Sequence, residues 1–225
     1  MIISVVGSGG KTTLIRNLAA QYRSQGKSVF VTTTTHMYIE KDTLISDDAQ
    51  EILGILQKTG YVMAGNPRGV QIRALSEETF DAVSACADIT LVEADGSRQL
   101  PLKYPKATEP VIPEKTEEII VVCGLNAIGQ KAKDVCHRLE LVKACLGIED
   151  DTLITPSHVL QLVTEGYLLP LRAAYPQATV RLMPRHNGSP QQQALATLLQ
   201  QETTVPASRI PGKCHTEPIH PLAIF

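Results

Sequence analysis

The sequence predicts an α/β chain built on a mostly parallel, doubly wound sheet, and three observations carry that prediction. Strand-like apolar runs and helix-like amphipathic runs alternate from Ile2 to Leu199. The first apolar run, Ile2-Ile3-Ser4-Val5-Val6, breaks into glycines and restarts as a helix at Lys11. A later run, Ile89-Thr90-Leu91-Val92, closes on two acids, Glu93 and Asp95. In a parallel open sheet the carboxyl ends of the strands line the ligand crevice, so glycines and acids are expected there together, with the glycine-bearing strand central. A chain of 225 residues can bury a full core. The expected organisation is one domain over residues 1–204 with a proline-rich tail over 205–225 packed on it.

The turn after the first strand reads Gly7-Ser8-Gly9-Gly10-Lys11-Thr12-Thr13. A bound phosphate needs several backbone N–H groups aimed at one point, and glycines let the chain bend that tightly with no Cβ in the way. The helix starting at Lys11 adds its unpaired N–H groups and the positive end of its dipole, while the Lys11 ammonium reaches the outer phosphates. Thr12 then offers its hydroxyl to Mg²⁺. The phosphates are thus expected on Gly7 to Thr13, Ser8 included, in a loop shorter than the usual spacing, since the residue five before Gly10 is Val5. The fold implied is of the P-loop NTPase type.

Lys11 to Gln25 reads as a helix with Leu14, Leu18 and Tyr22 on one stripe and Gly26 as its stop. Val29-Phe30-Val31 resumes as a strand that runs into Thr32-Thr33-Thr34-Thr35-His36. Thr32 suits the strand itself. Thr34, Thr35 and His36, at its carboxyl end, are placed to meet nucleotide, metal or substrate. Residues 46 to 59 form a helix capped by Ser46, Tyr61 to Ala64 a strand, and Gly65-Asn66-Pro67 a turn. Ser76 caps the next helix, which carries Glu77 and Glu78 in its first turn.

The strand from Ile89 then delivers Glu93 and Asp95, two residues apart and so on one side of it. Asp95 is expected to reach a metal held by Thr12, and Glu93 to share the metal or orient a water or acceptor hydroxyl. Residues Gly96 to Glu118 hold Pro101, Pro105, Pro110 and Pro113 among Arg98, Lys103, Lys106 and Lys115, a long irregular loop leaving the sheet beside the acids. Arg98 and Lys103 are the cations expected near an anionic ligand. Ile119 to Cys123 is a further strand ending in Gly124-Leu125-Asn126, and residues 132 to 146 look helical, with His137 a surface or cap histidine. Thr155-Pro156-Ser157 opens another helix, Val180 to Met183 another strand, and Ser189-Pro190 a last helix.

Composition excludes several function classes. Hydrophobic residues make up 43% and charged residues 20%, with a net charge of -2, so no basic field exists to hold a nucleic-acid backbone. No run approaches the ~18 apolar residues of a spanning helix and no leader pattern opens the sequence, so a cytoplasmic chain without a membrane partner is expected. Five widely spaced cysteines without a C-x-x-C pattern suit buried thiols better than disulfides or a zinc knuckle. In the tail, Cys214, His215 and His220 read as a proline-broken edge segment, their role open.

Three stretches together resemble the YqeC-type accessory proteins of selenium-dependent molybdenum hydroxylases: Val6 to Thr13, Thr32 to Met37, and Val92 to Arg98 with Pro101-Leu102-Lys103 and Glu109 to Pro113. The resemblance continues through Cys123 to Gly129 and His137-Arg138, covering roughly residues 1 to 160. It implies a nucleotide-dependent role in maturing hydroxylases that carry labile selenium, with a molybdenum cofactor species or the hydroxylase as partner. The stretch where the family pattern expects a guanine-reading Asn-Lys-x-Asp reads Leu182 to Asn187, which leaves ATP, GTP or a cofactor nucleotide open. The short loop also resembles that of Mur-type ligases, so a ligase or kinase acting on a small molecule is an alternative. A nucleotide-gated binding module without turnover is a second.

Overall fold

Ile2–Gly7 (β1) is buried at every residue, as a strand flanked by others on both sides must be. In the computed structural model, which describes residues 1–204, it belongs to the first of two units into which the chain clusters. This unit comprises Met1–Val6, Lys11–Gly96 and Val111–Ile119. Here Lys11–Ser24 (α1) leads to Val29–Thr33 (β2), and short strands follow at His36–Tyr38 (β3) and Thr43–Ile45 (β4). Ala49–Thr59 (α2), Tyr61–Arg68 (β5), Gln71–Arg73 (β6), Glu77–Cys86 (α3) and Ile89–Glu93 (β7) complete it. β7 lies between β1 and β2, parallel to both, with Glu93 opposite Val5 on one side and Thr33 on the other. β5 continues the parallel order beside β2 and also pairs with β4. Beyond it β6 and β3 run antiparallel. The class is α/β with a mostly parallel, mixed sheet, and Phe30, Ile52, Leu56, Val62, Ala64 and Val83 form a core between β2, β5, α2 and α3.

Several elements depart from the sequence pattern. The buried face of α1 is Leu14, Ile15 and Ala19, with Leu18 and Tyr22 only half-buried at its edge. α2 is capped by Asp48, whose carboxylate accepts from the Gln50 N–H at 2.8 Å; Ser46 sits outside, accepting from Asp48 N–H. The expected turn at Gly65-Asn66-Pro67 is strand, because Asn66 and Pro67 pair with Arg73 and Ile72. The chain turns instead at Gly69, at φ +60°. β3, β4 and β6 were not legible at three residues each, too short for a periodicity to show. α3 is capped by Ser76 as expected, its hydroxyl accepting from Thr79 N–H.

The second unit comprises Gly7–Gly10, Ser97–Pro110 and the residues from Ile120 onward. It holds Leu102–Lys103 (β8), the greater part of Glu118–Gly124 (β9), Ala132–Val135 (α4), Cys136–His137 (β10) and Leu139–Leu146 (α5). Pro156–Val163 (α6), Leu169–Ala174 (α7), Thr179–Arg185 (β11) and Pro190–Thr204 (α8) follow. β9 neighbours β11, and β8 pairs parallel with β10. The helix expected over 132–146 is broken in two. Cys136 and His137 leave it to pair with Leu102 and Lys103, and Arg138, at φ +62°, restarts it. Thr155 caps α6 through a reciprocal capping box with His158. Between α6 and α7 the helix widens to a π-turn at Thr164–Leu168. Pro170 lacks an N–H and would press on the carbonyl of Gly166, a strain the wider turn relieves. No helix among the described residues is long and apolar enough to cross a membrane. The tail from 205 to 225, with Cys214, His215 and His220, lies outside the described residues.

Candidate functional site

Gly7, Gly9 and Gly10 all adopt positive φ, at 85°, 84° and 120°, where a side chain is strained. At Gly7 and Gly9 space forbids one as well. A Cβ on Gly7 would overlap the Val122 carbonyl, and one on Gly9 would stand 2.6 Å from Gly124 N and 2.9 Å from Pro101 O. Ser8, between them, is buried; its N–H donates to Val122 O at 2.8 Å and its hydroxyl to Pro101 O at 3.0 Å. Ser8 therefore fastens the loop to β9 and to the residue before β8. The Gly9 and Gly10 N–H groups take no protein acceptor among the described residues. A Cβ on Gly10 would lie 3.5 Å from Arg185 Cγ and 3.6 Å from its Nε, so the last residue of β11 brings a guanidinium stem to the loop. Nothing in the spacing of Arg185 from the motif announced this.

In the first unit the first turn of α1 faces the end of β7. The Lys11 ammonium is buried 3.2 Å from Asp95 Oδ1 and 3.9 Å from Glu93 Oε1, and the Thr12 hydroxyl donates to Glu93 Oε2 at 2.9 Å. Both acids thus fall on one side, as their spacing predicts. Thr12 meets Glu93 directly, while Lys11 lies nearer Asp95. The strand ends at Glu93, and Ala94 is tied on both sides, donating to Val5 O and accepting from Val111 N–H, so the next side chain is carried across to Lys11. Asp95 is fully buried. Burial pushes the Glu93 carboxyl above its ordinary range; Lys11 and the Thr12 hydrogen bond oppose that and Asp95 adds to it. Thr13, one position on, is exposed.

The threonine run serves this corner from below. Thr33, missed as a site residue, donates from its hydroxyl to Glu93 O at 2.7 Å, and Thr34 N–H donates to the same oxygen at 3.2 Å. Thr34 Oγ1 is spent on Val111 O at 2.6 Å, and Thr35 N–H on Thr33 Oγ1. Thr32 donates to Ala64 O inside the sheet, the structural part given to it. His36 opens β3 opposite Arg73 and makes no hydrogen bond or ion pair with Lys11, Thr12, Glu93 or Asp95; burial, then Arg68, lowers its pKa. A cleft of about 660 Å³ opens at the amino ends of β2, β5 and β7, lined by Arg23, Lys27, Gln57 and Asp88, and no predicted site residue lines it.

Arg98 and Lys103 belong to the second unit. Arg98 is exposed at φ +49°, whereas the Lys103 ammonium is buried, 2.7 Å from Glu109 Oε2. Cys123 and Cys136 are the buried thiols expected, pushed up to about 12 and about 11 by burial, while Cys86 is exposed.

The donor set at β7 fits Mg²⁺: two carboxylates and a threonine hydroxyl, all hard oxygens. Among the described residues no group of three or more His, Cys, Asp or Glu could hold a metal ion.

The family model described as YqeC protein matches residues 3–140. A relative described as the uncharacterized protein YqeC of Escherichia coli (strain K12) is 33% identical over 174 residues, covering 72% of this chain and 67% of the relative. No solved structure matches the chain. A family model over more than half of the residues, the glycine loop and the β7 acids among them, and a relative of that identity place one conclusion beyond the geometry: the chain belongs to the YqeC family.

Proposed function

We propose that the chain binds a nucleoside triphosphate with Mg²⁺ on Gly7 to Thr13 and hydrolyses it in the maturation of selenium-dependent molybdenum hydroxylases. One observation supports the nucleotide reading above the rest. Immediately after a loop that admits no Cβ at Gly7 or Gly9, a buried lysine and a threonine hydroxyl meet two buried acids at the end of the neighbouring strand. A plain glycine turn gives no reason for that set. The family resemblance supports the hydroxylase as the process served.

In this reading the Gly9 and Gly10 N–H groups and the α1 dipole hold the phosphates. Lys11 turns from Asp95 to the outer phosphate oxygens, and Thr12 with one of the two acids, Glu93 or Asp95, would hold Mg²⁺ directly or through water. Mg²⁺ held there would offset negative charge on the phosphates. The acid not on the metal orients the attacking water, and Arg185, beside Gly10, supplies a second cation to the phosphates. The shortened loop favours one competing reading, a Mur-type ligase or kinase that passes the phosphoryl group to a small-molecule acceptor.

Calorimetry with ATP and GTP in Mg²⁺ tests the binding. Lys11→Ala is expected to weaken it by about 10–100-fold, the loss of a charge-assisted contact, with an unchanged circular-dichroism spectrum. Equal affinity for the variant and the parent would overturn the phosphate-loop reading. Product analysis separates the classes: nucleoside diphosphate released without acceptor supports the accessory NTPase, acceptor-dependent release the ligase or kinase, and no release the binding module.

A further inference from the structure

β11 ends at Arg185 and α8 begins at Pro190, and the turn between them reads His186-Asn187-Gly188-Ser189. Its hydrogen bonds converge on one side-chain amide and the backbone nitrogen that follows it. The Gly188 N–H donates to His186 Nδ1 at 3.1 Å. The Ser189 N–H donates to Asn187 Oδ1, also at 3.1 Å. From behind, the Asn187 N–H donates to Gln192 Oε1 at 3.1 Å and the Gln192 N–H to Ser189 Oγ at 3.3 Å, which anchors the turn to the start of α8. His186, Asn187 and Gly188 are exposed to water. Gly188 stands at φ +92°, and a Cβ placed on it would meet nothing within 4 Å. An asparagine side chain can be attacked by the backbone nitrogen of the next residue, closing a five-membered ring, but three things oppose that step. The nitrogen must lose its proton, the amide oxygen must take up negative charge, and a side chain on the next residue crowds the approach. All three are met in this turn. The His186 imidazole faces the N–H that must be lost, within the reach of a general base. The Ser189 N–H stands on the oxygen where charge develops, as an oxyanion donor does. Gly188 has no side chain to crowd the attack. A brace for the turn accounts for the bonds to Gln192, but gives no reason for an imidazole on the one N–H that ring closure has to deprotonate.

We propose that Asn187-Gly188 is a self-modifying site, at which His186 and the Ser189 N–H promote conversion of the asparagine to aspartate and isoaspartate. Gly188 N attacks Asn187 Cγ as its proton passes to His186 Nδ1, so an N–C bond forms and negative charge collects on Oδ1 under the Ser189 N–H. The adduct collapses with cleavage of the Cγ–Nδ2 bond, and Nδ2 leaves as ammonia, taking the proton back from the imidazole. Water then opens the cyclic imide. Addition at Cγ breaks the Cγ–N bond and gives aspartate, whereas addition at the main-chain carbonyl carbon breaks the original peptide bond and gives isoaspartate. The sequence needs no oxidant or reductant, and its co-reactant, water, reaches the exposed turn. Either product adds one negative charge to a chain of formal net charge -2, two residues from Arg185. The site stands on second-unit residues and does not rest on the nucleotide reading.

The test is incubation of the full chain at neutral pH in heavy-oxygen water, followed by peptide mass spectrometry. The peptide that holds Asn187 is expected to change from amide to acid with uptake of one heavy oxygen, and to resolve into aspartate and isoaspartate forms. His186→Ala, at an exposed turn position, is expected to slow the conversion about 10-fold or more with a parent-like circular-dichroism spectrum, the loss of a positioned general base. The parent unfolded in guanidinium chloride is expected to convert more slowly than the folded chain, because folding is what holds the imidazole and the Ser189 N–H on the reacting atoms. If the folded parent keeps its amide, if folded His186→Ala converts as fast as the parent, or if the unfolded chain is the faster, the hydrogen bonds only brace the turn and the proposal falls.

Discussion

Lys11 lies nearer Asp95 and Thr12 donates to Glu93, and under the proposed nucleotide reading that arrangement assigns each acid its part. Glu93 is in hydrogen-bond contact with Thr12, the residue whose hydroxyl faces the metal in such loops, so Glu93 is the better metal ligand. Asp95, on Lys11, is the better candidate for keeping the ammonium aimed and for orienting a water once the lysine moves. Glu93→Gln is therefore expected to lower Mg²⁺-dependent nucleotide affinity about 10-fold or more, whereas Asp95→Asn leaves binding nearer normal and lowers turnover by roughly 10²–10⁴-fold. Calorimetry and single-turnover rates on both variants check it, and equal loss of Mg²⁺-dependent binding would show the acids acting together on the cation. At this scale the sequence was informative where chemistry is encoded by adjacency. Lys11-Thr12 and Glu93-Ala94-Asp95 could be read from spacing alone. Thr33, Glu109, Arg138 and Arg185 could not, because each acquires its role from a partner that folding brings up: Glu109 and Arg138, for instance, meet across 29 residues.

At the scale of elements, the long patterned ones were legible and the pieces that shape the site were not. β1, β2, β7 and β9 are apolar runs buried throughout or nearly so, and α1, α2 and α3 are amphipathic runs ending at recognisable stops. The two-residue strand β10 breaks a helical pattern that local propensity favours and β8 interrupts a loop expected to be irregular, and only their mutual pairing explains them. The loop glycines show how far element geometry constrains the sequence. Gly26 and Gly9 both have positive φ, at 75° and 84°, but a Cβ on Gly26 meets nothing within 4 Å while one on Gly9 meets Gly124 and Pro101 backbone inside 3 Å. Gly26→Ala is expected to cost about 1–2 kcal/mol of stability, the left-handed penalty alone, and to leave nucleotide binding intact. Gly9→Ala adds a backbone clash that must displace the loop, so it is expected to lose more stability and most of the nucleotide affinity. Urea unfolding and calorimetry on the pair distinguish the two effects, and equal behaviour would mean the loop is not held as tightly as its contacts indicate.

At the scale of the whole molecule, the buried charges pull stability in opposite directions as pH changes. His137 titrates near 4 in the folded chain against about 6.5 in an unfolded one, so the unfolded chain binds the proton first and stability is lost as pH falls from about 6.5 towards 4. Glu109 adds to the same acid limb. Burial raises its pKa, but the hydrogen bonds and charges of Lys103 and Arg138 outweigh that, so the net shift is downward and its contribution is lost as pH falls through the carboxylate range. Glu93 runs the other way. Its folded pKa is raised, chiefly by burial, so its contribution is complete below the ordinary value of about 4.5 and is lost as pH rises through the folded one. Burial thus disfavours the ionised form of Glu93 in the folded chain, while Lys11 and the Thr12 hydroxyl favour it. Glu93→Gln keeps an acceptor for the Thr12 hydroxyl and leaves Lys11 its partner in Asp95, so it is expected to raise the urea midpoint at pH 7 while weakening Mg²⁺-nucleotide binding. The gain should shrink as the pH is lowered through the raised folded pKa of Glu93, where the parent's carboxyl becomes protonated. Urea titrations of parent and variant across pH 4 to 8 measure this directly; a variant less stable than the parent at pH 7 would show that Glu93 is held for the fold and not for a cation.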